Sequence, residues 1–295
     1  MNLIKKKKTP LLAFHCCTQG ASHIKEDKVC QDFALSHRAE KYAVAIVCDG
    51  HGGNNYFRSD LGSRFAAETA SKSINASMEV CTGNQEFREQ VKTNPDKFLR
   101  QLEANILYTW NRNIESHFYE NPFLEDELSK LPDAGRQKYE QTDAHYIKAY
   151  GTTLIAVVVY PRHFWFGIHL GDGKCVARFS DNHFEQPIPW NDKCFLNVTT
   201  SLCDDKALDE FRHCFHTDNF PEALFVGSDG IDDSFANDED LYGFYEEIVQ
   251  IFKEKGEEIA VEEIEAFLPE LSQRGSRDDV SVAGIISFDK SNINQ

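Results

Sequence analysis

The chain has 295 residues, of which 41% are hydrophobic, so it can bury a sizeable core, and disorder is expected only at the ends. Asp plus Glu number 48 against 31 Lys plus Arg, and the resulting net charge of −17 argues against nucleic acid or an anionic membrane surface as partner. No stretch approaches the ~20 apolar residues of a membrane span, and nine cysteines without a C-x-x-C pair fit reduced thiols in a cytoplasmic protein.

The chain opens MNLIKKKKTPLLAFHCC. Pro10 and His15 bracket too few apolar residues for a secretory signal, so residues 11–17 read as a first strand. Residues 18–31 are polar and read as an exposed turn leading to Asp32. Residues 44–48 (VAIVC) form an apolar run typical of a strand buried on both faces, and it stops at Asp49-Gly50-His51-Gly52-Gly53. From Asn54 the period changes. Phe57, Leu61 and Phe65, and then Ala66, Ala70 and Ile74, recur every four residues and predict a helix. Leu99, Leu102, Ile106, Trp110, Ile114 and Phe118 predict a second helix over 96–120, antiparallel to the first and laid on a sheet.

Residues 121–146 are charged, contain Pro122, Pro132 and Gly135, and read as a variable connection. Three strands at 152–160, 163–170 and 174–179 read as a meander whose second turn is Gly171-Asp172-Gly173. The irregular stretch 181–220 is expected to cover one rim of a site. A buried strand at 223–227 ends in Ser228-Asp229-Gly230-Ile231-Asp232-Asp233. Two further helical patterns follow, through Leu241, Phe244, Ile248 and Phe252 and through Ile259, Ile264, Phe267 and Leu271. Gly275-Ser276-Arg277-Asp278-Asp279 precedes a last strand at 280–288. With neither linker nor repeat, one α+β domain over 1–295, with a core at about 11–288, is the simplest assembly.

Three apolar runs therefore stop at Asp-Gly, before Asp49, Asp172 and Asp229, while Asp32 and Asp278 flank strands from the other side. If these strands lie side by side the carboxylates meet at one sheet edge, where mutual repulsion demands cations. Oxygen donors without a His/Cys set select Mn²⁺ or Mg²⁺ over zinc. For Asp172 a plain two-strand turn is the alternative. Asp233 could equally cap the helix that follows it. His51 could simply be a polar residue at the start of the first helix. Cys48, Cys175 and Cys214 read as core fillers or surface thiols.

The ordered set QDF (31–33), VCDGHGG (47–53), GTT (151–153), LGDG (170–173), GSDGI (227–231) and GSRDDVSV (275–282) resembles the PP2C (PPM) metal-dependent serine/threonine phosphatases. The resemblance spans roughly residues 11–288. It implies a β-sandwich of two mainly antiparallel sheets flanked by helix pairs, with a binuclear Mn²⁺/Mg²⁺ centre at one end. On the matching positions it implies that Asp49 bridges both metals with the Gly50 carbonyl beside it, and that Asp229 and Asp278 hold the other metal. Asp32 would reach the metal-bound waters, and Asp172 and Asp233 would hold a weaker third metal. His51 matches the residue that protonates the leaving group. The implied substrate is a phosphorylated protein, hydrolysed at phosphoserine or phosphothreonine by a metal-activated water without a phosphoenzyme. Oligomeric state is not readable.

One position departs from the family. Where its members carry an Arg that grips the substrate phosphate, this chain has Asp27. Lys25, Lys28 and His23 are the neighbouring cations, each less directional than a guanidinium fork. A second class of function stays open on that ground, a catalytically weak or inactive relative that binds a phosphorylated or regulatory partner. A third is an unrelated β protein whose Asp-Gly pairs are only hairpin turns.

Overall fold

A computed structural model describes residues 11–141, 143–194 and 198–288; the basic run at 5–8 and the tail beyond 288 lie outside the described residues. In chain order the first elements are β1 Leu12–Thr18, α1 Ala21–Lys25, β2 Phe33–Arg38, β3 Ala43–Cys48, α2 Ser59–Gly83, α3 Gln85–Thr93 and α4 Pro95–Glu120. Next come α5 Glu125–Leu128, α6 Asp133–Gln141, β4 Leu154–Tyr160, β5 Phe164–Leu170, β6 Lys174–Arg178 and β7 Phe184–Glu185. The remainder is α7 Ala207–Glu210, β8 Arg212–His216, β9 Ala223–Gly227, α8 Asp229–Asp232, α9 Asp238–Lys255, α10 Glu257–Arg274 and β10 Val280–Ile286.

The strands form two five-stranded antiparallel sheets, ordered β1-β10-β9-β6-β7 and β2-β3-β4-β5-β8. The period of two along each strand divides its side chains between two cores. On β3, Val44, Ile46 and Cys48 face α2 and α4, while Ala43, Ala45 and Val47 face the other sheet. On β10, Val280, Val282 and Ile286 face α9 and α10, while Ala283 and Ile285 point between the sheets. This gives the expected α-β-β-α layering and explains why these strands read as continuous apolar runs. Cys48, Cys175 and Cys214 are all buried in these cores.

Several expectations need correction. The three strands from 152 to 179 are not a meander: β4 and β5 pair in one sheet, but β6 pairs with β9 in the other. Gly171-Asp172-Gly173 is a crossing between sheets, with Gly171 at φ +125°, a conformation that favours glycine. The 18–31 stretch is not wholly exposed, because it holds α1 and the buried His23. The first long helix begins at Ser59, after a 3₁₀ turn over Asn54–Tyr56. The 121–146 connection contains α5, α6 and the start of a 3₁₀ segment, Asp143–Tyr150. Arg58 pins it, donating to both Glu127 carboxylate oxygens at 2.7 and 2.8 Å and to the carbonyls of Asn121 and Pro122.

Candidate metal centre

Five of the six suspected carboxylates sit where a strand meets a turn. Asp49 follows β3, Asp172 follows β5, Asp229 follows β9, Asp32 precedes β2 and Asp278 precedes β10. Antiparallel pairing brings these ends to one rim. Asp49, Asp172 and Asp229 each present a carboxylate oxygen, all within 4.8 Å of one another. Asp32 is buried nearby at 6% exposure, and its Oδ2 has no hydrogen-bond partner among the described residues.

The electrostatics record the crowding. Burial, reinforced by Asp229 and Asp32, holds the Asp49 carboxyl well above the usual carboxylate range. Burial also pushes Asp229 up to about 6, with Asp172, Asp278 and Asp233 adding repulsion. Asp32 is raised well above its ordinary value by burial, then by Cys17 and Asp279, and Asp172 is raised by burial although Thr199 bonds its carboxylate. Such a set is unfavourable as bare anions and suits a hard divalent cation with oxygen ligands, Mn²⁺ or Mg²⁺.

Backbone contacts fix the set in place. The Gly50 N–H donates to the Gln31 carbonyl at 3.1 Å, and a side chain at Gly50 would collide with that carbonyl. A side chain at Gly230, beside Asp229, would strike the Asp279 carbonyl. Thr152 Oγ1 donates to the Asp49 carbonyl at 2.8 Å. As expected of the 181–220 stretch, Thr200 and Ser201 lie on this rim: Thr200 Oγ1 accepts from the Gly171 N–H at 3.0 Å, and Ser201 Oγ donates to the Thr152 carbonyl at 3.2 Å.

Asp278 stands apart from the tight trio. Its side chain is 55% exposed and lies 3.6 Å from His23 Nε2, in a separate group with His23 and Asp279. Asp233 follows α8, and the helix after it is capped by Asn237, whose side chain accepts from the Asp240 N–H at 3.0 Å. The capping role weighed for Asp233 therefore belongs to Asn237. His51 is anchored by its N–H to the Gly151 carbonyl at 3.1 Å, and its ring meets Tyr56 edge-on at 4.8 Å. Burial lowers its pKa to about 4, with Asp204 opposing and Lys148 assisting that shift.

Asp279 was not singled out by sequence, yet it is nearly fully buried and organises the rim. Its carboxylate accepts from the backbone N–H groups of Gly20 and Gln31, each at 2.6 Å, and meets His23 Nδ1 at 2.9 Å. The only signal was its place beside Asp278. The cations near the departed Arg position are already engaged or turned outward. His23 is held by Asp279, Lys28 pairs with Glu26 at 2.6 Å, and Lys25 and Arg277 are exposed, as is Asp27 itself. An open groove of about 760 Å³ starts at Gln31 and Gly52 and runs past Tyr56, Asp60 and Glu120.

No helix among the described residues is long and apolar enough to cross a membrane. The family model for protein phosphatase 2C matches residues 19–269. Among solved structures the fold is similar to a bacterial serine phosphatase, at 17% identity and TM-score 0.57 over 95% of this chain and 99% of that one. It is also similar to the serine/threonine phosphatase Stp1 from Staphylococcus aureus, at 15% identity and TM-score 0.55 over 97% and 98% of the two chains. PppA, a regulatory component of T6SS in Pseudomonas aeruginosa, matches at 14% identity and TM-score 0.57 over 95% and 99%. None of the curated proteins matches the chain significantly. With the family model covering most of its length and the same two-sheet architecture in its structural neighbours, the chain belongs to the protein phosphatase 2C family.

Proposed function

We propose that the protein hydrolyses phosphoserine or phosphothreonine in a cytoplasmic phosphoprotein at the rim of Asp32, Asp49, Asp172 and Asp229, with Asp233 and Asp278 at its margin. The observation that carries this reading is the convergence of three half-buried carboxylates from the ends of separate strands within 4.8 Å, beside a fourth, the buried Asp32, whose Oδ2 has no hydrogen-bond partner among the described residues. A purely structural role would leave that repulsion unrelieved. Asp49, with the Gly50 carbonyl, Asp229 and Asp278 would hold two divalent ions, and Asp172 and Asp233 a third. When bound, such ions acidify a water and neutralise phosphoryl charge.

The remaining work falls to the chain itself. Asp32, buried and with an Oδ2 that has no partner among the described residues, would accept a hydrogen bond from a water at the rim and so orient it. His51, beside Asp49, is the candidate donor of a proton to the departing seryl or threonyl oxygen, and an approaching phosphate dianion opposes the shift that burial imposes on its imidazole. With Asp27 in place of the family's Arg, phosphate recognition would rest more heavily on the ions. Weak turnover on small substrates is the consequence.

A phosphopeptide panel assayed with Mn²⁺, with chelator, and with Asp49→Asn tests the reading. Turnover that needs Mn²⁺ and is absent from the variant supports it. Divalent-ion binding without turnover would favour the scaffold reading, and turnover indifferent to chelator would remove the mechanism.

A further inference from the structure

Two thiols outside the carboxylate set face each other across the gap between the end of β1 and the segment leading to Asp32. Cys17 Sγ and Cys30 Sγ are 3.7 Å apart, with Cys17 exposed and Cys30 half-buried. Ser281 Oγ on β10 donates to Cys17 Sγ at 3.1 Å, which orients that sulfur. Both thiols also point at one backbone atom, the Asp32 carbonyl oxygen, at 3.6 Å from Cys17 Sγ and 3.8 Å from Cys30 Sγ. The other seven cysteines are all buried. Cys17 and Cys30 are thus the pair that is both close and reachable.

We infer that Cys17 and Cys30 form a dithiol modification site that a peroxide converts into a reversible disulfide, and that closing it disturbs the carboxylate rim. The Cys17 sulfur attacks one oxygen of hydrogen peroxide, the O–O bond breaks, and a sulfenic acid and one water form. The Cys30 sulfur then displaces the hydroxyl from Cys17, and the S–S bond forms as a second water leaves. The two sulfurs give up two electrons to the peroxide, and both thiol protons leave in the waters. A covalent S–S bond is about 2 Å long, so closure draws Cys30 toward β1.

The draw cannot be local. Gln31, next in the chain, donates from its N–H to Asp279 at 2.6 Å, and its carbonyl accepts from Gly50 N–H at 3.1 Å and Ser63 Oγ at 2.6 Å. Displacing Cys30 therefore strains the contacts that seat Asp32, Gly50 and Asp279 together. The effect on turnover rests on the phosphatase reading given above; the formation of the disulfide does not.

The test uses the full chain in Mg²⁺ buffer, reduced, freed of reductant and then exposed to hydrogen peroxide. Expected are a loss of two hydrogen masses, a linked peptide joining Cys17 to Cys30 after free thiols are blocked in denaturant, and loss of most Mg²⁺-dependent activity, all reversed by dithiothreitol. Cys17→Ser and Cys30→Ser should each abolish the linked peptide and keep their activity after peroxide, and melting curves check that both fold. The inference is overturned if no linked peptide forms, if Cys17 instead gains oxygen irreversibly, or if either serine variant still forms the link. Should the chain show no turnover at all, the linked peptide and the Mg²⁺-induced rise in melting temperature still decide the matter, and the failure is then of the phosphatase reading alone.

Discussion

Asp49 and Thr153 are joined by two hydrogen bonds: the Asp49 N–H donates to Thr153 Oγ1 at 3.0 Å, and the Thr153 N–H donates to the Asp49 carbonyl at 2.8 Å. The pair closes the end of β3 against the start of β4 and fixes the direction in which the Asp49 carboxylate leaves the backbone. The GTT motif is thereby explained as a clamp on the central aspartate.

Thr153→Val keeps the shape but removes the acceptor for a partly buried N–H, which costs about 1–3 kcal/mol. Expected are a lower melting temperature and a raised Mn²⁺ requirement, measured by thermal denaturation and by activity against metal concentration. An unchanged metal requirement would mean that β-strand pairing alone sets the Asp49 direction.

Asp49→Asn should have opposite effects with and without metal. Burial and the charges of Asp229 and Asp32 disfavour the Asp49 carboxylate, so the amide relieves repulsion, and the metal-free variant should melt above the metal-free wild type. Added Mn²⁺ should raise the wild-type melting temperature by mass action and leave the variant nearly unmoved. Parallel melts with chelator and with Mn²⁺ read both effects, and equal metal responses would count against Asp49 as a ligand.

His51→Gln separates leaving groups. An alkoxide needs a proton as it departs whereas p-nitrophenolate does not, so turnover of a phosphoserine peptide should fall by ~10²–10⁴ while p-nitrophenyl phosphate is hydrolysed at nearly the wild-type rate. Equal losses on both substrates would assign His51 to binding or structure.

Stability should carry a pH signature from the far side of the second sheet. The hydrogen bond from His213 Nδ1 to the fully buried Glu103, at 2.8 Å, raises the His213 pKa against the opposing effect of burial. A histidine whose folded value lies above its unfolded ~6.5 contributes fully below that value and loses the contribution as pH rises through the folded one. The difference in melting temperature between wild type and His213→Gln should therefore be widest below the unfolded value of ~6.5 and narrow as the pH rises above it. A constant difference would assign the contact to packing.

Much of the fold was legible because its long helices carry clean stripes: the 96–120 pattern matches α4 to within a residue, and the apolar runs ending at Asp49 and Asp229 are β3 and β9. Sheet membership was not legible. β5 and β6 are buried along nearly their whole length on both faces, so periodicity has no way to say that the Gly171-Asp172-Gly173 turn leads into the opposite sheet. β8 was missed because Arg212-His213-Cys214-Phe215-His216 is a short edge strand with one buried residue, and α3 because only Val91 of its nine residues is buried. The aspartates could be listed from their motifs, but the separation of Asp278 from the trio, and the anchoring by Asp279 and Gln31, depend on contacts between distant segments.

The trio also has a mechanical side. Asp49 and Asp172 leave the ends of one sheet and Asp229 leaves the end of the other, so cations held among them would rivet the two layers at a single rim, while the contact between the layers elsewhere is largely apolar, with His15 Nδ1 and Ser36 Oγ adding a hydrogen bond across it at 2.9 Å. Withdrawing those cations should let the molecule gape from that end, like a book loosened at one corner of its spine. Scarcity of divalent ions would then shorten the protein's lifetime against proteases as well as idle its chemistry.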